Sequence, residues 1–307
     1  MRFKDDIINW IVSVRSKLAE EGLIPRKVAD FLYNIARYKN PWKLGLNEKE
    51  RQFKKLNIDN FTSEHDYLLY IGCLTLFNDR LINIAKALTE IFNECGVKIG
   101  VLGVDEICCG NEVYLLGEKA LFEQLVKENI KIFKERDVKR IITVSPHAYN
   151  IMKNEYPKYG GNFKVSHYTQ ILYKIIKDGK IKLSRFGKRV TYHDPCFLGR
   201  YNNIYEQPRA ILREIPGLKL VEMPRNRENA LCCGGGSGNF YFDLLNGSKE
   251  SPSRVRIKEA YKANAEILVT SCPACICMFE DAVKSEKLED KIQILDLSEV
   301  IKLVLSK

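Results

Sequence analysis

Residues 267–275 read Ile-Leu-Val-Thr-Ser-Cys-Pro-Ala-Cys, a short apolar run followed directly by a cysteine pair. The run is typical of a buried strand, and the cysteine pair begins a segment, 274–285, with helical character. Residues 140–148 read Arg-Ile-Ile-Thr-Val-Ser-Pro-His-Ala and follow the same plan, except that serine and alanine replace the cysteines. These two stretches indicate that one structural unit occurs twice in the chain.

Each stretch is preceded by a single cysteine and then by a Cys-Cys-Gly triplet. These residues are Cys73 with Cys108-Cys109-Gly110 in the first half, and Cys196 with Cys232-Cys233-Gly234 in the second. The segments that separate the single cysteine from its triplet, 74–107 and 197–231, differ in length by one residue. Self-similarity on this scale supports duplication of a whole lobe.

Short apolar runs alternate with segments of helical periodicity along most of the chain, which favours parallel sheets with helices on their faces. The predicted strands are 66–71, 97–102, 140–144, 164–167, 188–193, 219–222, 267–270 and 291–295, and the predicted helices are 79–94, 112–136, 169–177, 209–214, 252–263, 274–285 and 297–306. We therefore predict an α/β fold with two pseudo-symmetric, Rossmann-like lobes.

The same pattern divides the chain into three segments. Residues 1–65 are expected to form a helical N-terminal extension, because their apolar residues have mostly helical spacing. The first lobe is expected over 66–187 and the second over 188–307. The densest basic run of the chain, residues 177–189, lies at the boundary between them.

Composition and charge argue against several classes of protein. The 307 residues include 49 Lys and Arg against 39 Asp and Glu, which gives a net charge of +10. The basic residues are dispersed and no nucleic-acid-binding signature accompanies them, so we expect no nucleic-acid partner; an anionic membrane face or an acidic subunit remains open. No signal peptide is recognisable and no apolar run reaches the ~18–20 residues that cross a bilayer. We expect a cytoplasmic protein, with association at the inner face of the membrane as the alternative.

The ten cysteines point to metal or redox chemistry, since disulfide scaffolds belong to small secreted domains. Sites in open α/β sheets gather at the carboxyl ends of strands, where the cysteines of each lobe are expected to meet. In the second lobe these are Cys196, Cys232, Cys233, Cys272 and Cys275. A structural zinc ion needs only four ligands, so five thiols favour a multinuclear iron–sulfur centre.

Other residues of the second lobe are expected to modify this centre. The run 234–238 contains four glycines, which would let backbone N–H groups approach sulfur. Arg200, Arg225 and Arg227 are candidates for nearby positive charge, with ordinary salt bridges as the alternative. His193 is a candidate for lining the site. Cys95 is expected to be a packing residue, and so is Cys277, with a position near the cluster as the alternative for Cys277.

Three motifs closely resemble the cysteine-rich CCG domains found in the B-type and D-type components of heterodisulfide reductase and in related iron–sulfur oxidoreductases. They are Tyr192-His-Asp-Pro-Cys196-Phe-Leu-Gly-Arg200, Glu222-Met-Pro-Arg-Asn-Arg227 and Leu231-Cys-Cys-Gly-Gly-Gly236. The resemblance implies a noncubane [4Fe–4S] cluster on the five second-lobe cysteines and an oxidoreductase subunit that acts on sulfur groups. It also implies two partners, a ferredoxin-like C-type component and a flavoprotein.

The first lobe departs from the family pattern, because Ser145 and Ala148 stand at the positions of the terminal cysteine pair. The remaining thiols, those of Cys73, Cys108 and Cys109, would form an acceptable zinc site together with His147. An altered cluster and a metal-free site remain open. In the reductases, two clusters each deliver an electron to one sulfur of a disulfide, so this departure puts that mechanism in doubt here.

Two other functions remain open at this point. The chain could be an electron-transfer or membrane-docking subunit of a succinate, glycerol-3-phosphate or lactate dehydrogenase-type complex, since such complexes also use CCG domains. It could instead be a non-catalytic assembly subunit whose metals are structural, as the apolar helix predicted over 7–18 and the basic surface suggest. No catalytic residue can be named from the sequence.

Overall fold

The structure, a computed structural model, describes residues 3–236, 238–244 and 247–306. Ser237, in the predicted glycine-rich run, lies outside the described residues. So do residues 1–2 of the predicted N-terminal extension and residues 245, 246 and 307 of the predicted second lobe. The described part contains two four-stranded sheets in which every pairing is parallel. The predicted α/β class and the two parallel-sheet lobes are therefore confirmed.

The two sheets have the same topology. The strands are β1 (Tyr67–Tyr70), β2 (Ile99–Gly100), β3 (Arg140–Thr143), β4 (Lys164–His167), β5 (Arg189–Tyr192), β6 (Lys219–Leu220), β7 (Ile267–Thr270) and β8 (Gln293–Asp296). Their spatial orders are β2-β1-β3-β4 and β6-β5-β7-β8. Each order reverses at its second strand, which opens a crevice at the carboxyl edge where ligands of such folds bind.

Fourteen helices are present in the described part. They are α1 (Phe3–Glu20), α2 (Arg26–Tyr38), α3 (Leu46–Lys54), α4 (Cys73–Leu76), α5 (Ile82–Glu94), α6 (Asn111–Leu115), α7 (Lys119–Glu135), α8 (Pro146–Asn154), α9 (Tyr168–Lys177), α10 (Glu206–Arg213), α11 (Asn239–Phe242), α12 (Pro252–Lys262), α13 (Pro273–Ser285) and α14 (Leu297–Val304). Short 3-10 turns lie at Gly103–Asp105, Tyr156–Tyr159 and Arg227–Asn229. The first three helices form the N-terminal extension, whose boundary at residue 65 stays a prediction.

The single helix predicted over 112–136 is wrong, because the chain forms α6 and α7 with a turn between them. Gly117 lies in that turn with φ +88°. A Cβ atom there would lie 2.5 Å from the backbone nitrogen of Ser16 and 2.6 Å from the carbonyl carbon of Arg15. Helix α1 therefore passes directly over the break, a long-range contact that helical periodicity alone does not reveal.

The two lobes share one apolar core. A continuous cluster of buried side chains runs from the first sheet, at Leu69, to the second sheet, at Leu268, through residues of α5, α9, α10 and α14. Polar contacts reinforce this interface: Arg80 lies 2.7 Å from Glu280 and 2.5 Å from Glu299. The relative position of the lobes, on which any site between them depends, is thus fixed by burial and by ion pairing.

Asp296 joins the lobes through a buried hydrogen bond. Its Oδ1 accepts from the hydroxyl of Tyr168 at 2.7 Å and from the backbone nitrogen of Ser298 at 2.9 Å, which caps α14. Its Oδ2 is buried and has no hydrogen-bond partner among the described residues. Burial raises the pKa of Asp296 to about 7, and the negative charge of Glu299 also raises it. The hydrogen bonds from Tyr168 and Ser298 lower this pKa but do not cancel the rise.

This raised pKa predicts a pH-dependent stability. A carboxyl group that titrates higher in the folded than in the unfolded chain stabilises the fold below its unfolded pKa, and that stability is lost as pH rises through the folded value. We expect Asp296→Asn to gain stability relative to the unmodified protein between about pH 5 and pH 8, by at most about 1.4 kcal/mol per pH unit. Urea unfolding of both proteins at both pH values measures the difference. If the two proteins differ in stability by the same amount at pH 5 and pH 8, the raised pKa of Asp296 is contradicted.

Candidate metal centre

The five second-lobe cysteines converge at the carboxyl edge of the second sheet. Cys196 follows β5, Cys232 and Cys233 follow β6, and Cys272 and Cys275 lie at the start of α13 after β7. Side-chain contacts join Cys196 to Cys232, Cys232 to Cys233, and Cys275 to Cys272. The sulfur atoms of Cys233 and Cys275 are 3.2 Å apart. Three sequence-distant loops thus bring five thiols into one continuous group.

The thiols perturb one another's ionisation. Hydrogen bonds from Cys196 and Cys233 hold the pKa of Cys232 well below its usual range, and that thiolate in turn raises the pKa values of both donors. Burial opposes ionisation of Cys272, but a hydrogen bond from Cys275 contributes to a pKa well below the usual range. A group of thiols this close cannot all ionise without added positive charge, which a bound metal supplies.

Backbone N–H groups face the sulfur atoms, as the glycine-rich sequence predicts. The nitrogen of Gly234 lies 3.3 Å from the sulfur of Cys232, and the nitrogen of Gly235 lies 3.5 Å from that of Cys233. A Cβ atom on Gly235 would lie 2.9 Å from the Cγ atom of Met278, so a larger residue here would require that side chain to move. Such N–H donors stabilise anionic sulfur and raise the reduction potential of an iron–sulfur cluster.

A buried ion-pair group holds the Cys196 loop. Arg209 is fully buried; its two Nη atoms lie 2.6 and 2.9 Å from the carboxylate oxygens of Asp194, and its Nε lies 2.7 Å from Glu222. Asp194 also accepts from the backbone nitrogen of Arg227 at 2.8 Å. These contacts join the sequence motif around Cys196 to the segment that leads to Cys232. The charged side chains of Asp194, Arg209 and Glu222 therefore stabilise the positions of the two loops.

The three arginines considered as cluster cations make ordinary polar contacts. Arg200 donates to the carbonyl oxygen of Ala230 at 2.7 Å and so supports the loop that leads to Cys232. Arg225 pairs with Glu259, and Arg227 pairs with the side chains of Glu206 and Glu222. The salt-bridge alternative is therefore correct for Arg225 and Arg227.

His193 lies beside the second-lobe thiols. One of its ring nitrogens is within 4.8 Å of the sulfur atoms of both Cys233 and Cys275, which themselves lie within that distance of each other. The imidazole is fully buried, and its Nδ1 is 3.3 Å from Nε of Arg256 in α12. The sequence suggested that His193 lines the site, but Arg256 was missed because nothing in its local sequence indicates this contact.

The three first-lobe thiols lie together in the corresponding position. Cys108 contacts both Cys73 and Cys109, and the nitrogen of Gly110 lies 3.4 Å from the sulfur of Cys108. This last contact repeats the one between Gly234 and Cys232. The duplicated sequence therefore forms equivalent N–H to sulfur contacts in the two lobes.

His147, the proposed fourth ligand of the first lobe, points instead toward the second lobe. It hydrogen-bonds to Cys272, and its ring packs on Phe197 with centroids 4.7 Å apart. Burial opposes charge on this imidazole, but Cys272, together with Glu112 and Cys232, raises the pKa of His147 to about 9. Among the described residues, His147 and the first-lobe thiols do not form a compact metal-binding group. The zinc site stays a prediction.

A cavity of about 60 Å³ separates the first-lobe thiols from the second-lobe loops. Its polar and sulfur-containing lining includes Cys73, Cys108, Cys109, Glu112, Ser145 and His147, and its apolar lining includes Phe31, Phe240 and Tyr241. Glu112 is a further site residue that the sequence did not reveal. It accepts from the backbone nitrogen of Gly238 at 3.0 Å, and burial raises its pKa.

The second-lobe donor set fits an iron–sulfur cluster. Five sulfurs exceed the requirement of a mononuclear zinc site, while backbone N–H groups already face two of them. The Nε2 atom of the buried His193 has no hydrogen-bond partner among the described residues, so a further acceptor beside it would satisfy a buried polar group. The residues that would hold such a cluster are Cys196, Cys232, Cys233, Cys272 and Cys275.

Comparisons with known proteins agree with this chemistry. The chain is 37% identical over 305 residues to the EtfAB:quinone oxidoreductase of Syntrophomonas wolfei, covering 95% of this chain and 43% of the relative. It is 34% identical over 309 residues to the probable iron-sulfur-binding oxidoreductase FadF of Bacillus subtilis, covering 96% and 43%. It thus spans less than half the length of these two relatives.

A third relative is matched over most of its length. The D-type component of the dihydromethanophenazine:CoB–CoM heterodisulfide reductase of Methanosarcina barkeri is 31% identical over 297 residues, covering 92% of this chain and 71% of the relative. The family model described as "Cysteine-rich domain" (CCG) matches residues 67–153 and 190–280, one stretch in each lobe. Because these matches cover more than half of the chain, the protein belongs to the cysteine-rich domain (CCG) family.

Proposed function

We propose that the protein is an iron–sulfur redox subunit that transfers electrons through one noncubane [4Fe–4S] cluster on Cys196, Cys232, Cys233, Cys272 and Cys275. The observation that carries the proposal is the convergence of these five thiols from three loops at one sheet edge. When bound, such a cluster supplies one-electron transfer at a potential set by the charges and hydrogen bonds around it. The protein residues orient the sulfurs, exclude water and provide those hydrogen bonds.

The proposed substrate is a disulfide or another small sulfur species. The cavity is lined by the three first-lobe thiols and, from the second-lobe loops, by Gly235 and Ala274. It is apolar over much of its remaining surface, which suits a sulfur-containing group. Its volume of about 60 Å³ admits only a few atoms, such as the end of a thiol or disulfide chain. The relative named as a heterodisulfide reductase component supports this substrate class.

The proposed electron-transfer partners are a ferredoxin-like subunit and a flavoprotein. A buried centre with five thiols needs an external electron donor or acceptor, and the relatives named as oxidoreductases extend well beyond the matched region. No helix in the described part of the chain is long and apolar enough to cross a membrane. Peripheral association with the inner face of a membrane is a further part of the proposal.

A second candidate function is electron transfer to a quinone. The relative that is 37% identical is named EtfAB:quinone oxidoreductase. In this case the second-lobe cluster would relay electrons within a dehydrogenase-type complex, and no sulfur substrate would enter the cavity. Oxidation of the reduced protein by a small disulfide, compared with a quinone analogue under the same anaerobic conditions, separates the two functions.

Metal analysis tests the proposal directly. We expect the protein, purified without oxygen, to contain about four irons with matching acid-labile sulfide and to show a low-temperature EPR signal in one redox state. If the first-lobe thiols hold zinc, about one zinc per chain will also be present, and Cys108→Ala will remove the zinc while retaining the iron. A colourless protein that holds zinc alone, even after reconstitution with iron and sulfide, would contradict the redox function and favour the structural one.

A further inference from the structure

His193 and Arg256 form a buried pair beside the second-lobe thiols. Both side chains are fully buried, and Nε of Arg256 lies 3.3 Å from Nδ1 of His193. Arg256 is itself held in place: its Nη1 donates to the carbonyl oxygen of Arg225 at 2.6 Å and to Glu259 at 2.5 Å. The guanidinium is therefore fixed on the side of the imidazole that bears Nδ1.

This contact determines which imidazole nitrogen carries the proton. A guanidinium has donors only, so Nδ1 of His193 must be the acceptor. The proton of a neutral imidazole is then on Nε2. A charged imidazole would carry a proton on Nδ1 as well and would place it against the N–H of Arg256, so this contact requires the neutral ring.

The Nε2 donor needs an acceptor that the described protein residues do not provide. Nε2 is buried and has no hydrogen-bond partner among them. An unpaired buried N–H group destabilises the folded protein, so such groups are rare without a reason. A ring nitrogen of His193 is within 4.8 Å of the sulfurs of Cys233 and Cys275, while Phe279 packs edge-on against the ring at 4.7 Å.

We infer that His193 donates a hydrogen bond from Nε2 to sulfur at the second-lobe centre, and that Arg256 holds the imidazole in the tautomer that can donate. His193 is then a positioning residue and not a metal ligand, since ligation through Nε2 would move the proton to Nδ1, where it would face the N–H of Arg256. The inference rests on the proposed function, because it assigns His193 a role toward the proposed cluster.

The expected consequence is a higher reduction potential in the unmodified protein. A hydrogen bond to sulfur stabilises the more negative, reduced state of a cluster. Replacement of His193 by phenylalanine keeps a flat ring against Phe279 but removes the donor. We therefore expect His193→Phe to shift the midpoint potential to a more negative value and to lose iron about tenfold faster to a chelator.

The test is an anaerobic redox titration followed by EPR, together with electron–nuclear double resonance in H2O and D2O. The unmodified protein should show an exchangeable proton coupled to the electron spin that is absent from His193→Phe. The matched control is His147→Gln, which alters the other imidazole near these thiols and should retain that proton. An unchanged potential with the proton retained in His193→Phe would overturn the inference.

Two further measurements remain decisive if His193→Phe does not fold. Arg256→Met keeps the imidazole of His193 but removes the contact that holds its proton on Nε2. This variant should also shift the midpoint potential to a more negative value. Labelling the unmodified protein with 15N-histidine should reveal only the weak coupling of a hydrogen-bond donor; a strong coupling of ligand magnitude would show iron ligation and overturn the inference. Failure of the unmodified protein to bind iron would instead contradict the proposed function, so the two failures are distinguishable.

Discussion

Replacement of Cys233 by alanine is expected to abolish the iron-dependent absorption and EPR signal of the anaerobically purified protein. Cys233 is the central thiol of the group, since it contacts Cys232 on one side and lies 3.2 Å from the sulfur of Cys275 on the other. It also faces the backbone nitrogen of Gly235. Loss of this sulfur therefore removes a donor that connects the Cys232 loop to helix α13.

The matched control is Cys95→Ala. Cys95 lies between α5 and β2, at the amino edge of the first sheet, whereas the thiol groups gather at the carboxyl edges. It is half-buried against the apolar core, and burial raises its pKa to about 11, so it is a neutral packing group. We expect Cys95→Ala to keep its full iron content. Equal iron content and identical spectra in the two variants would contradict the assignment of Cys233 as a ligand.

The sequence predicted the sheets better than it predicted the contacts between elements. Strands β4 and β7 were predicted with the ends that the structure shows, because a short apolar run between turns is a local signal. The break between α6 and α7 was missed because its cause, the passage of α1 over Gly117, is a contact between distant segments. The core shared by the lobes was also not visible, since apolar periodicity does not specify the partner of a buried face.

In the candidate site, too, local features were predicted from the sequence and contacts between distant segments were not. The position of each cysteine after a strand was sufficient to predict that the second-lobe thiols meet, because parallel strands end at a common edge. The direction of His147 could not be predicted in this way, since its contact with Cys272 depends on how the two lobes pack. Arg256 and Glu112 were missed for the same reason: each acts through a partner from a distant loop.

Replacement of Arg209 by methionine is expected to destabilise the protein by about 3–5 kcal/mol. The guanidinium is fully buried between Asp194, whose carboxylate is almost fully buried, and the partly exposed Glu222. Methionine fills most of the space but leaves the carboxylate of Asp194 without a counter-ion in a low-dielectric environment, which is the costly situation for a buried ion pair. Urea unfolding under anaerobic conditions, followed by circular dichroism, measures the loss.

A double-mutant cycle with Asp194→Asn separates the lost charge pairing from lost packing. Asparagine retains an oxygen that can accept from the backbone nitrogen of Arg227, but it carries no charge. We expect the double variant to be more stable than the sum of the single effects predicts, by at least about 1 kcal/mol, because residues in one ion-pair group are not additive. Strict additivity, or a cost of Arg209→Met below about 1 kcal/mol, would show that the arginine acts only by filling space. If the cycle shows coupling and Arg209→Met also loses iron faster, the buried pair holds the Cys196 loop in the position that the centre requires.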